Sequence, residues 1–399
     1  MRLGAERILG IRFSPAATAV PLQNANVNTQ TVARGHAQTT APGPDPASSF
    51  VHESRKCNLL AFTSPSNAFG GLITKTLKPT PGYLRGLWVV ATGTGGVNGT
   101  NTVTAAADAP WNLYQSIQLR DAFGTVVYQT DGFGAYLIHI YSGQVGSVGL
   151  QDPTKDAFYS AISSGATGTG NFEFALYIPL EFDPDTAYCS LASMNTAAQM
   201  ALAITLNTSA NFYTTAPGTL PVVEIDLYEE YWAVPITNPN LAPPGDGSSH
   251  QWTQSQGQNT IASGANTRVP LPDVGSYIST LIICMRNATN VRIDTPFNAD
   301  LELWVDGVPV RIEHPNLTQS RMYRQFGMTR PTGVVCYSFR DSVGWTVGID
   351  DMELLLATTP GTLLELFSGG WGTFSGGPAT ANTYTGKLFP VQAVPARLV

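Results

Sequence analysis

The residues able to do chemistry in this 399-residue chain are few, and their spacing argues against a reactive centre. His139 is one of five histidines and sits in the run Tyr136-Leu137-Ile138-His139-Ile140-Tyr141. That setting predicts a strand residue, not a general base. Asp183 with Asp185, and Asp350 and Asp351 with Glu353, offer carboxylate groupings of the kind used in glycoside hydrolysis or calcium binding. Asp183-Pro184-Asp185 reads as a turn after a strand, and Asp350-Asp351 as a loop between two strands. In Glu229-Glu230-Tyr231-Trp232, alternation puts Leu227, Glu229 and Tyr231 on one face against Tyr228, Glu230 and Trp232, as expected where a strand ends at a domain junction.

Cys57, Cys189, Cys284 and Cys336 form no CxxC pair and have no neighbouring His, so they are expected to be free thiols used as small apolar residues. The Gly/Thr/Ser stretches 93–101 and 163–170 lack the lysine and following helix of a phosphate loop, and no Gly-x-Ser-x-Gly elbow occurs. Asn98, Asn207, Asn287 and Asn316 open glycosylation sequons, which a Thr- and Asn-rich chain produces by chance. The expectation is therefore no catalytic residue, no metal and no cofactor. One basic cluster stands out: Arg321, Arg324 and Arg330 lie in the most helix-like segment, 314–330, and are candidates for a salt bridge between subunits.

Composition points the same way. Only 12% of residues are charged, about half the usual share, while Gly (39) and Pro (28) are plentiful. A surface this poor in charge suits a protein covered by copies of itself. A formal charge of -7 argues against nucleic-acid binding by the body of the chain, so no sequence-specific nucleic-acid partner is expected. No apolar run of 18 residues occurs, and Arg2, Glu6, Arg7 and Arg12 interrupt the first 13 residues, which predicts synthesis and retention in a cytoplasm.

The elements that would position these residues are β-strands. Period-2 runs closed by Gly and Asp turns recur from Leu113 to Phe182 and again from Tyr277 to Phe367. The expected fold is all-β, with two sandwiches in tandem behind an extended N-terminal arm. The arm covers 1–50, the first sandwich 51–235, a Pro/Gly/Ser linker 236–266, the second sandwich 267–390 and a tail 391–399. Strands are expected near 58–62, 82–91, 113–119, 125–129, 172–180, 200–207 and 222–232. In the second half they are expected near 279–285, 291–294, 301–305, 308–312, 333–339, 346–349, 353–357 and 363–367. The segment from Gly369 onward reads as irregular. Within the arm, Arg2, Arg7, Ile8, Leu9, Arg12 and Phe13 write a short basic amphipathic pattern with a local charge of +2.

Taken in order, three segments resemble the double jelly-roll major capsid proteins of tectivirus-like tailless phages, the lineage that includes adenovirus hexon. They are WNLYQSIQLRDAFGTVVYQTDGFGAYLIHIY (111–141), FEFALYIPLEFDPDTAYCSLASMNTAAQMALAITLN (172–207) and VVEIDLYEEYWAVP (222–235). YISTLIICM (277–285) and GVVCYSFRD (333–341) are similar in kind.

The resemblance implies two eight-stranded jelly rolls whose strands stand normal to a shell. It further implies trimers of pseudo-hexagonal outline that tile an icosahedral virion of a bacteriophage. The partners it implies are the chain itself, as homotrimer and between trimers, penton and minor capsid proteins, and an internal viral membrane. The arm residues Arg2 to Phe13 would then face the shell interior, and loop 93–101 the exterior. The alternative reading is a carbohydrate-binding or fibre-type β-sandwich protein using Trp252 and Trp371, with a glycosidase built on Asp183 or Asp351 behind it.

Overall fold

The structure is a computed structural model describing residues 46–142, 160–245, 249–255, 260–272, 274–327, 329–339, 355–374 and 377–389. The chain opens with α1 (Pro46–Glu53), β1 (Lys56–Asn67), β2 (Leu72–Thr76), β3 (Gly82–Thr94), β4 (Thr104–Ala105), β5 (Tyr114–Arg120) and β6 (Val126–Thr130). There follow α2 (Gly132–Tyr141), β7 (Ser160–Ile162), β8 (Phe172–Pro179), β9 (Leu191–Ala192), β10 (Ala201–Leu206), α3 (Ser209–Phe212), β11 (Tyr213–Thr215) and β12 (Val222–Ala233). Next come β13 (Ser249–Ser255), β14 (Thr260–Ile261), β15 (Val269–Leu271), β16 (Tyr277–Arg286), β17 (Leu301–Val305), β18 (Val308–Glu313) and α4 (Pro315–Phe326). The last strands are β19 (Val334–Ser338), β20 (Leu356–Ala357), β21 (Leu364–Ser368) and β22 (Ala379–Phe389).

Three sheets carry the architecture. A six-stranded sheet runs β1-β12-β3-β8-β7, with β9 on β3. A ten-stranded sheet runs β19-β16-β22-β13-β6-β5-β10-β2, and a four-stranded sheet runs β15-β21-β17-β18. The ten-stranded sheet belongs to both halves of the chain. They join where β13 lies parallel to β6, with Trp252 beside Tyr128 and Thr253 beside Gln129.

Side-chain alternation shows how the layers stack. On β16, Ile282 and Cys284 enter one core with the six-stranded sheet, while Leu281, Ile283 and Met285 enter a second core with the four-stranded sheet. Both faces of β16 are therefore covered, which explains its unbroken apolar run. The six-stranded sheet covers one face of the central sheet over β2, β10, β5 and β6. The four-stranded sheet covers the opposite face over β22, β16 and β19. Helices α2 and α4 fill the first face beside the six-stranded sheet, meeting edge-to-face at Tyr141 and Phe326, 4.7 Å apart. The result is two offset β-sandwiches sharing one central layer, a double jelly roll.

Most expected strands are present within a few residues. The run 136–141 is not a strand: it belongs to α2. Asp131 caps that helix by accepting from Gly134 N–H at 2.6 Å, and every helical residue is buried, so no polar stripe betrays the 3.6 period. A Cβ at Gly134 would strike Tyr384 and Thr130 Oγ1, which is why glycine stands there. The segment read as linker contains β13 and β14. The segment after Gly369, read as irregular, contributes the long central strand β22. Gly386 is a glycine because Trp252 stands beside it: a Cβ there would lie 3.0 Å from the indole. Residues 291–294 make one isolated bridge, Arg286 to Arg292, and lead into a 3-10 turn at Thr295–Phe297. The strand expected at 346–349, the first residues of that at 353–357, the arm segment 1–45 and the tail 391–399 lie outside the described residues.

Candidate functional site

The residues singled out for chemistry are dispersed and mostly committed to the fold. His139 is buried on α2, and its Nδ1 accepts the Tyr177 N–H at 3.4 Å, which closes part of the free edge of β8. Burial pushes its pKa down to about 4, so it is neutral near pH 7. Asp183 is buried and accepts from Thr186 Oγ1 at 2.6 Å and Asp185 N–H at 3.2 Å, which makes it a turn residue. Asp350, Asp351 and Glu353 lie outside the described residues, as do Arg2, Arg7, Ile8, Leu9, Arg12 and Phe13. Among the described residues no group of three or more His, Cys, Asp or Glu is placed to hold a metal ion.

Trp252 and Trp371 are 1% and 0% exposed, so neither ring face is open to a sugar. Trp252 packs in the core shared by both halves, and Trp371 Nε1 donates to Thr267 O at 2.7 Å.

The end of β12 departs from simple alternation. A bulge between Glu230 and Tyr231 shifts the register, so Leu227, Glu229 and then Trp232 are the buried residues. Trp232 Nε1 donates to buried Glu181 at 3.1 Å, and Arg85 Nε donates to the same carboxylate at 2.9 Å. Burial pushes the Glu181 carboxyl up, and the Arg85 guanidinium pulls against that shift. Glu229, 1% exposed, has no hydrogen-bond partner for either oxygen among the described residues, and burial raises its pKa to about 7.

Two polar clusters hold the halves together. Asp108, from the first half, takes Arg286 at 2.5 Å and Arg292 at 2.8 Å from the second. Both guanidinium groups flank the Phe133 ring, at 5.1 and 4.8 Å. Asp131 is reciprocally bonded to Gln254, its N–H donating at 2.6 Å and its carboxylate accepting at 2.8 Å, while Tyr384 OH donates at 3.3 Å. Burial pushes Asp131 up, against these bonds to its charged form.

The basic cluster has a role that the sequence does not show. β19 is a terminal strand of the ten-stranded sheet, and its outward carbonyls face arginines. Arg330 donates to Val334 O at 3.4 Å, Arg321 to Cys336 O at 3.0 Å and Arg311 to Ser338 O at 3.0 Å. Arg321 is also paired with Glu313 at 2.9 Å, and Arg330 with Asp294 at 2.6 Å. Guanidinium groups thus seal a sheet edge that would otherwise invite another strand. Arg324 is exposed and makes no ion pair among the described residues. The three arginines are therefore not one site: two serve the subunit's own edge, and one faces outward.

Comparison with known proteins gives the fold a class. No protein-family model and no curated protein sequence matches the chain. Solved structures do. The crystal structure of the STIV MCP aligns with a TM-score of 0.60 at 16% identity, over 87% of this chain and 99% of that one. PBCV-1 Vp54, fitted into a reconstruction of the virophage Sputnik, aligns with a TM-score of 0.59 at 10% identity, over 88% and 95%. The Faustovirus major capsid protein gives 0.56 at 9% identity, over 89% and 92%. The chain has the fold of these proteins along nearly its whole described length.

Proposed function

We propose that this protein is a structural major capsid subunit that assembles with copies of itself into an icosahedral virion shell. The observation that carries the proposal is the complete double jelly roll, aligned end to end with proteins described as capsid proteins. The poverty in charge supports it: 12% charged residues leave broad walls that can be buried without desolvating many ions. The finer reading is a homotrimer of pseudo-hexagonal outline, packed against further trimers and against penton and minor capsid proteins.

Arg2, Arg7, Ile8, Leu9, Arg12 and Phe13 are proposed to act on the inner face, against a neighbouring trimer or an internal membrane. Arg324 is the member of the basic cluster left for a contact between subunits. Purified protein is expected to form trimers in light scattering and shells in negative stain. Monomer alone at every concentration would refute the reading. Removal of residues 1–13 should leave trimers intact while lowering shell yield, and unchanged yield would reject the arm's role.

A further inference from the structure

Among the described residues, the offset stacking of the layers leaves one face of the central sheet without a cover. Over β2, β10, β5 and β6, the face turned away from the six-stranded sheet carries Thr74, Ala203, Gln118 and Gln129 in one cross-strand row. Thr205 and Ser116 lie in the next row. These side chains are exposed or half-exposed, and no described element packs across them. A recess of about 400 Å³, lined by Gln115, Ser116, Gln129, Thr205 and Gln254, opens on the same side.

The charge on these strands is unlike that of the rest of the first half. Residues 51–235 hold fourteen acidic and seven basic side chains, yet β2, β5, β6 and β10 contain no Asp or Glu, and their only charges are Lys75 and Arg120. The opposing six-stranded sheet carries Glu173, Glu224, Asp226, Glu229 and Glu230. Exclusion of carboxylates from one sheet of a strongly acidic domain marks a surface that can be buried without desolvating ions.

A matching surface exists on the same chain. The outer face of the four-stranded sheet exposes Ile312 at 56% and Val310 at 43%, beside half-buried Trp304 and Phe367. Its two carboxylates, Glu302 and Glu365, are already engaged by Trp304 Nε1 at 2.7 Å and Arg268 at 3.4 Å. They also complement Arg120 on the uncovered face. Within one subunit the four-stranded sheet covers only the second half of the central layer. A second copy can supply the missing cover for the first half.

We propose that the uncovered face of β2, β10, β5 and β6 is a docking surface for the four-stranded sheet of a second copy of this chain. This rests on the self-assembly reading and goes beyond it by naming the two surfaces. The contact is head-to-tail, so each subunit offers one of each surface, and repetition closes a ring when the rotation from copy to copy divides a full turn. Four strands at 4.8 Å spacing, each about five residues long, present about 300 Å² of flat sheet, a core to which loops add the remainder of a standard interface.

Ala203→Glu and Gln118→Glu place a carboxylate on the first surface, and Ile312→Lys disrupts the second. Circular dichroism and melting are recorded alongside light scattering, so that a folding defect in one variant leaves the others informative. Each variant is expected to fall from the wild-type oligomer to the single-chain mass. An equimolar mixture of Ala203→Glu and Ile312→Lys should form a two-chain species and nothing larger, because one intact pair of surfaces remains. Thr92→Lys, on the acidic outer sheet, should keep the wild-type mass. Oligomers of unchanged mass in folded Ala203→Glu and Gln118→Glu would overturn the proposed surface. Absence of the two-chain species would overturn its head-to-tail form. A wild type that never associates would instead refute the self-assembly reading itself.

Discussion

Glu229 should make this protein lose stability as pH rises from mildly acidic to neutral, opposite to the behaviour of an ordinary paired carboxylate. Its side chain lies on the core-facing side of β12 opposite Leu87, is 1% exposed, and has no partner for either oxygen among the described residues. Burial lifts its pKa from 4.5 to about 7. The native state therefore holds the proton while the unfolded chain has already released it. Stability from this group is complete below about pH 4.5 and lost progressively until pH 7, above which the loss levels off. At 1.36 kcal/mol per unit, the full swing is about 3 kcal/mol, an upper figure because water or a moving side chain reduces it.

Glu229→Gln keeps the shape and removes the titration. The assay is urea unfolding of wild type and variant between pH 4.5 and 8.5, read as the difference between the two curves, so that the cost of burying an amide cancels. The variant should gain about 2–3 kcal/mol on the wild type across that range. Parallel curves would show that Glu229 titrates as in the unfolded chain, and a variant that falls behind as pH rises would show that it ionises beside a cationic partner; either would refute its unpaired burial.

Three further outcomes follow from the contacts between and within the halves. Asp108→Ala leaves Arg286 and Arg292 without their shared counter-ion at the junction, and should cost about 3–5 kcal/mol in denaturant unfolding; a loss below about 1 kcal/mol would remove this cluster from the forces joining the halves. Arg321→Met should speed hydrogen exchange in β19 and cost about 2–3 kcal/mol, while exposed Arg324→Ala should stay within about 0.5 kcal/mol, both read by exchange and by melting. Gly134→Ala drives a methyl into Tyr384 and Thr130 Oγ1 and should destabilise by about 1–3 kcal/mol, even though alanine favours helices; a neutral result would contradict the close packing of α2 against β22.

What could be read from the sequence was whatever local pattern determines. The β17–β18 hairpin was legible because Asp306-Gly307 takes positive φ at both turn positions, 49° and 79°, between alternating strands. The helix 315–326 was legible through its polar exposed face and the glycine that ends it. Where both faces of an element are covered, the pattern disappears. α2 is apolar all round, and β22 is rich in Ala, Thr and Gly, with Gly386 explained only by the Trp252 ring beside it. β13 was hidden by the Pro/Gly-rich residues before it and the Ser/Gln/Asn run around it, although it joins the two halves. The arginines at 321 and 330 were visible as charge, but their task depends on which strand ends the sheet, a property of topology alone. Trp252 and Trp371 looked available to ligand because they sit among polar residues, and both turned inward.

Two offset sandwiches on one chain are proposed to make a building block for a closed shell. Electron microscopy of the full-length protein, expressed alone and concentrated, tests it most directly. Trimers of near-hexagonal outline that associate into flat arrays or closed particles are the expected result. A field of dispersed single chains at every concentration and salt would contradict it.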